Sequence, residues 1–167
     1  MGDTKNLVSR AATEKIKQIA SGEIAMLCTF TNDGAMEARP MATQGIGDDG
    51  TLWYFSTRDS TTNQQIVANP AVQVIYMVPG KSEYLTLDGT ASVSRDQVKI
   101  DELWSGWAKT WFPDGKDDPQ LTLVTITLHG GHYWDTKHGK MVSLAKIAIG
   151  AVTGKTMDDG VDGTLKL

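Results

Sequence analysis

Residues 37–66, EARPMATQGIGDDGTLWYFSTRDSTTNQQI, bring together side chains able to hold an anion. Arg39 and Arg58 accompany five hydroxyls, Ser56, Thr57, Ser60, Thr61 and Thr62, at the start of a helical stretch, STTNQQIVAN. A helix amino terminus offers unpaired backbone N–H groups and a dipole that favours a phosphate. Plain capping accounts for one or two hydroxyls, with Thr62 and Gln65 matching a capping box, but not for five and two arginines. A hairpin centred on Asp48 and Asp49 would set Arg39 opposite Arg58 and Met41 opposite Ser56. Facing arginines repel unless a negative group lies near: either Glu37 or Asp59, or a bound anion. Met41 and Phe55 add apolar surface beside the polar cluster. Pro40 removes a backbone donor and so belongs at a sheet edge or a ladder break, where main-chain groups are free to meet a heterocycle. A phosphate at one end and a flat ring at the other suggest a nucleotide-like cofactor.

Aromatic surface is concentrated in WSGWAKTWFPDG, residues 104–115. Trp104, Trp107 and Trp111 have helical spacing and would share one helix face. That face either packs onto the core or lines a site for a conjugated ligand. Trp111, just before Phe112 and the Pro113–Gly115 turn, is the candidate for the ligand; Trp104 and Trp107 are assigned to packing. The nucleotide-binding GxGxxG and GxxxxGK[ST] patterns, the zinc pattern HExxH and the nucleophile elbow GxSxG are all missing. His129 and His132 flank a presumed Gly130–Gly131 turn and His138 lies in DTKHGK, without carboxylates or cysteines at ligand spacing. These are expected to be turn histidines and no metal site is predicted. No side chain stands out as an acid or base, so the catalytic residue is unknown.

The elements that must position these groups alternate with turn signals. Residues 4–21 predict a helix with Leu7, Val8, Ala11, Ala12, Lys15, Ile16 and Ile19 on one face and Gly22 ending it. EIAMLCTF, EARPMATQ, TLWYFST, AVQVIYMV, EYLTLDGTASVSR, LTLVTITL and HYWDT read as strands, and Gly89 as a bulge. A last helix is expected over 143–153, then a frayed tail over 155–167. Close strand spacing predicts one mainly β domain over residues 1–167, with six or seven antiparallel strands closed into a small barrel and flanking helices.

Bulk properties agree with one globular domain of 167 residues, 40% hydrophobic and 22% charged. A net charge of −4 without basic blocks argues against nucleic acid, and no run reaches membrane-spanning length. The only cysteine, Cys28, sits among apolar neighbours and reads as a buried packing residue. The polar start, MGDTKNLVSR, lacks the pattern of a signal peptide, so a cytoplasmic protein is expected.

With ARPM, LWYFSTRDS, NPAVQVIYM, YLTLDGTASVSRD and WFPDGKDDP…YWD in this order over roughly residues 10–150, the chain resembles the pyridoxamine 5′-phosphate oxidase-like, FMN-binding split β-barrel family, and within it the bacterial general stress proteins. The resemblance implies a Greek-key split β-barrel that forms a homodimer, with FMN in each groove between subunits. It implies that Arg39, Pro40 and Met41 border the flavin from one strand and Phe55, Ser56 and Thr57, with Arg58 beyond them, from the next. Ser60, Thr61 and Thr62 would hold the phosphate, and Tyr84 and Trp111 would approach the ring. The family's basic Arg-Lys pair is replaced here by Thr61 and Thr62, and the arginine-rich carboxy-terminal motif of genuine pyridoxamine phosphate oxidases is absent. The expectation is therefore flavin-dependent oxidoreductase chemistry on a small molecule other than a B6 vitamer. The alternatives are a non-catalytic binder of flavin, haem or a deazaflavin, and a dimer that has lost its cofactor.

Overall fold

A computed structural model describes residues 3–136 and 160–167 of the chain. Its strands are β1 (Asp3–Thr4), β2 (Leu7–Val8), β3 (Ile24–Phe30), β4 (Met36–Ile46), β5 (Leu52–Thr57), β6 (Ala71–Val78), β7 (Glu83–Ser94), β8 (Leu121–Thr136) and β9 (Gly160–Lys166). The helices are α1 (Ser9–Ala20), α2 (Thr61–Ala68) and α3 (Gln97–Leu103), with a 3₁₀ turn at Ala108–Thr110. Strands β3, β4 and β5 form a meander, and the chain then returns through α2 to lay β6 beside β3. That order is a Greek key. Pairing of β6 with β7, β7 with β8 and β8 with β5 closes a six-stranded antiparallel barrel, as the strand spacing predicts.

Alternation along the strands builds two cores. Leu52, Tyr54, Val124 and Ile126 point into the barrel, whose interior Ala12, Ile16, Ile19 and Ala20 of α1 also join. Phe55, Leu121 and Leu123 point outward, where Ile100, Ala108 and Phe112 cover them. Inside the barrel the Tyr54 and Tyr76 hydroxyls lie 2.6 Å apart, and Tyr76 continues to Thr43 Oγ1 at 2.8 Å. Burial is the main cause holding both phenols above the ordinary value near 10. An unfolded chain loses these protons near that pH while the fold retains them. Their contribution is thus whole below about 10 and is lost as pH climbs from there toward the raised folded values. Stability should fall over that alkaline range in urea titrations, and Tyr54→Phe should flatten the fall; an equal slope in the variant would contradict it.

Four expectations change on folding. The amino-terminal helix begins at Ser9 rather than residue 4, because β1 and β2 pair in parallel with β9. The predicted frayed tail is ordered over Gly160–Lys166: this strand fills the free edge of β8, with Leu165 buried. Gly130 and Gly131 are not a turn. They lie within β8, where a Cβ on Gly131 would sit 2.1 Å from the Thr86 carbonyl oxygen and one on Gly130 2.8 Å from that of Leu165; glycine is needed for close strand approach, and His129 and His132 are strand residues. The Trp-rich segment is not one helix, since α3 stops at Leu103 and only a 3₁₀ turn follows. The expected helix over 143–153 and His138 lie outside the described residues.

Candidate functional site

The barrel opens where β4 leaves β5. Their ladder runs from Ile46–Leu52 only as far as Thr43–Tyr54, with a register shift between Thr43 and Gly45. Beyond it β4 pairs with β3 alone and β5 with β8 alone. Pro40 therefore lies on the unpaired side of its strand, as its missing N–H suggests. The expected facing of Arg39 with Arg58 and of Met41 with Ser56 does not occur, because the ladder has already ended.

The resulting wedge is a cleft of about 410 Å³. Pro40 and Met41 of β4 and Phe55, Ser56 and Thr57 of β5 line it; Ser60 and Thr62 close its polar end, and Trp111 and Phe112 its aromatic end. Eight of the twelve predicted binding residues thus converge. Ile24, Ala42, Gln44, Trp107 and Ala108 complete the lining. Ile24 is reached through the β3–β4 ladder, which pairs it with Ala42, a long-range placement with no local sequence signal.

Each end is shaped by its supports. Phe55 meets the Trp104 ring at 5.9 Å and the Phe112 ring edge-on at 6.4 Å, fixing the cleft's aromatic wall. Trp104 thus packs against the outer core, as the sequence predicts. Trp107 and Trp111 form an edge-to-face pair at 4.4 Å, yet they remain 52% and 58% exposed. At the polar end Ser60 caps α2, its Oγ accepting from Asn63 N at 3.2 Å, so Ser60 and not Thr62 is the capping residue. Buried Asn63, which sequence patterns pass over as an ordinary helix position, ties the end together. Its Oδ1 accepts from Ser56 Oγ at 2.8 Å. Its Nδ2 reaches the carbonyls of Thr57 (3.0 Å) and Arg58 (3.2 Å) and Thr122 Oγ1 (2.9 Å).

Four predicted residues stand outside the lining. The Arg39 guanidinium donates to Glu37 Oε2 at 3.3 Å, to Gln65 Oε1 at 2.9 Å and to Thr29 Oγ1. It already has a counterion in Glu37 and fastens α2 to β4. Arg58 and Thr61 are exposed on the α2 approach, and Tyr84 lies on β7 opposite Met77 and Trp134. Cys28 is buried; desolvation pushes its thiol up, partly offset by Arg39, so it stays protonated. Among the described residues no helix is long and apolar enough to cross a membrane.

A flat heterocycle fits the wedge: proline, methionine and aromatic surfaces flank unpaired strand edges, and hydroxyls stand at one end. A closed Greek-key barrel that splits between two strands in this way is the split β-barrel fold. The chain belongs to the pyridoxamine 5′-phosphate oxidase-like family, whose model matches residues 11–158. It is similar to the crystal structure of a candidate general stress protein 26 from Jannaschia sp. CCS1, with 28% identity, TM-score 0.75 and coverage of 93% of this chain and 95% of that one. The general stress FMN/FAD binding protein of Xanthomonas citri is 25% identical with TM-score 0.64, covering 74% of this chain and 87% of that one. General stress protein 26 of Bacillus subtilis is 29% identical over 82 residues, which are 47% of this chain and 58% of that protein.

Proposed function

We propose that the cleft binds a flavin, FMN being the family's form, and that the protein is a flavin-dependent oxidoreductase of the general stress protein type. The observation that carries this reading is the wedge between Pro40–Ala42 and Phe55–Thr57, aromatic at one end and hydroxyl-lined at the other. The FMN/FAD-binding relative from Xanthomonas citri supports it. Pro40, Met41 and Trp111 would sandwich the isoalloxazine, Phe55 and Phe112 would exclude water behind it, and Thr57 and Thr62 would bond the tail. The bound flavin supplies the two-electron chemistry. Among the described residues none of the lining side chains is ionisable, and these residues would orient the ring.

A homodimer completes the reading. Ile24, Met36, Met77, Tyr84 and Trp134 are exposed apolar side chains. Ladder pairs Met77–Tyr84 and Tyr84–Trp134 join three of them into one outward patch across β6, β7 and β8. Ile24 belongs to the cleft lining itself, so a second copy resting on the β3 and β4 edge would also wall the ligand. Light scattering should give twice the 18.1 kDa chain mass. Flavin-loaded protein mixed anaerobically with NADH or NADPH should lose its visible flavin band within minutes. A band that persists with both donors favours the non-catalytic binder over the oxidoreductase.

A further inference from the structure

We propose that Arg95 is a positioning residue for the cleft: it clasps the neck of the excursion between β7 and β8 and so fixes the aromatic wall that meets the flavin ring. The inference rests on the flavin reading above. The chain leaves the barrel after Ser94 and rejoins it at Leu121. These two ends lie side by side, with Ser94 paired to Leu123. Between them the chain carries α3 and, from the cleft lining, Trp107, Ala108, Trp111 and Phe112. Arg95 opens the excursion and reaches across to its last turn. Its Nη2 donates to the Asp117 and Asp118 carbonyls, each at 3.2 Å, and its Nη1 to that of Pro119 at 3.5 Å. The planar fork of a guanidinium suits adjacent carbonyls, and its charge strengthens each bond over a neutral one.

A run of turn bonds leads from this clasp to the wall. The Leu121 N–H donates to the Asp118 carbonyl at 3.1 Å and the Asp118 N–H to that of Gly115 at 3.1 Å. The Gly115 N–H donates to the Phe112 carbonyl at 2.9 Å, and the Phe112 N–H to that of Ala108 at 3.1 Å. Phe112 is buried and meets Phe55 edge-on, and Ala108 packs into the same outer core. Gln97 Nε2 donates to the Lys116 carbonyl at 3.2 Å, and Asp101 pairs with Lys116 Nζ at 3.2 Å, so α3 supports the same loop. Arg95 differs in following β7 directly, so its grip refers the loop to the barrel. Releasing it leaves both cores in place and lets the wall drift from the ring.

The test compares the full chain with Arg95→Ala and Arg95→Lys. In Arg95→Ala the Gly115 and Asp118 amides should exchange roughly tenfold faster by NMR, while those of β6 keep their protection. FMN and riboflavin, titrated by quenching of flavin fluorescence, should each bind roughly three- to tenfold more weakly, because the wall meets the ring that both share. Arg95→Lys keeps the charge but loses the fork and should recover only part of either loss. Asp101→Asn, which removes the exposed ion pair to the same loop, is the control and should stay within about twofold. Flavin binding by Arg95→Ala equal to that of the unaltered chain overturns the inference and leaves the flavin reading standing. A loss confined to FMN also overturns it, since Arg95 would then act as a charge toward the phosphate. Loss of protection in β6 as well would make Arg95 a residue of the fold and overturn it too. Binding of neither flavin by the unaltered chain overturns both readings.

Discussion

Asn63→Ala should cost about 3 kcal/mol of stability, lowering Tm by roughly 6–12 °C for a chain of this size. The reason lies in what one buried amide holds. It accepts from Ser56 and reaches the Thr57 and Arg58 carbonyls and Thr122. Alanine leaves the Arg58 carbonyl and the Ser56 and Thr122 hydroxyls without their amide partner beside a small void, while the Thr57 carbonyl keeps the Ser60 N–H; each unmet buried group costs about 1–3 kcal/mol. The same change frees the turn from Thr57 to Ser60, so any ligand at the polar end should bind more weakly as well. Gln64→Ala is the matched control. Its side chain makes one exposed bond to the Asp59 carbonyl, and its loss should stay within about 0.5 kcal/mol. Thermal and urea unfolding of the two variants decide the matter. A loss below about 1 kcal/mol for Asn63→Ala would mean that the backbone alone holds the turn.

Trp111→Ala should weaken flavin binding by roughly 10- to 100-fold, the range that stacking on an exposed aromatic confers on a planar base. Stability should change little, because the indole is more than half exposed and rests mainly against Trp107. Trp104→Ala should behave in the opposite sense. Its ring packs on Phe55 in the outer core, so truncation should cost roughly 2–4 kcal/mol before any effect on ligand. Parallel unfolding curves and flavin titrations separate the two. If Trp111→Ala unfolds early and binds flavin normally, the pair is packing and not a lid.

The contrast between the two tryptophans explains what sequence could reveal. Alternation in AVQVIYMV and EYLTLDGTASVSR leaves one possible face for a core, and these became β6 and β7 nearly to the residue. Gly89 was marked by composition, and the β7–β8 register does shift there. Helical spacing of Trp104, Trp107 and Trp111 misled, because Ser105 and Gly106 break the helix that the pattern assumes and the rings separate into one half-buried side chain packed on the outer core and two exposed ones. Gly130 and Gly131 misled for a different reason: close approach by β7 and β9 selects the same residue type as a turn. The tail looked polar and loose because the free edge of β8 that orders it is a tertiary feature.

In the site, Pro40 announced the ladder break and the hydroxyl cluster the start of α2. For the partner of Arg39 the sequence favoured a bound anion over Glu37 or Asp59, because five hydroxyls and two arginines exceed what capping needs, and this is corrected by the fold. Folding favours Glu37 because it lies two residues along the same strand, on the same face as Arg39, with Gln65 of α2 bonded to both. Asn63 gave no local sign of its role, since its partners lie on β5 and β8.

The central claim, that the split between β4 and β5 is a flavin site, is tested most directly by the visible absorption spectrum of the purified protein. Acid release and mass identification of the chromophore should follow. The account predicts a flavin spectrum, either on isolation or after adding flavin and removing the excess, with about one flavin released per chain. A colourless protein that takes up neither FMN nor riboflavin would contradict it, and the aromatic wedge would then be a surface that packs against a second copy.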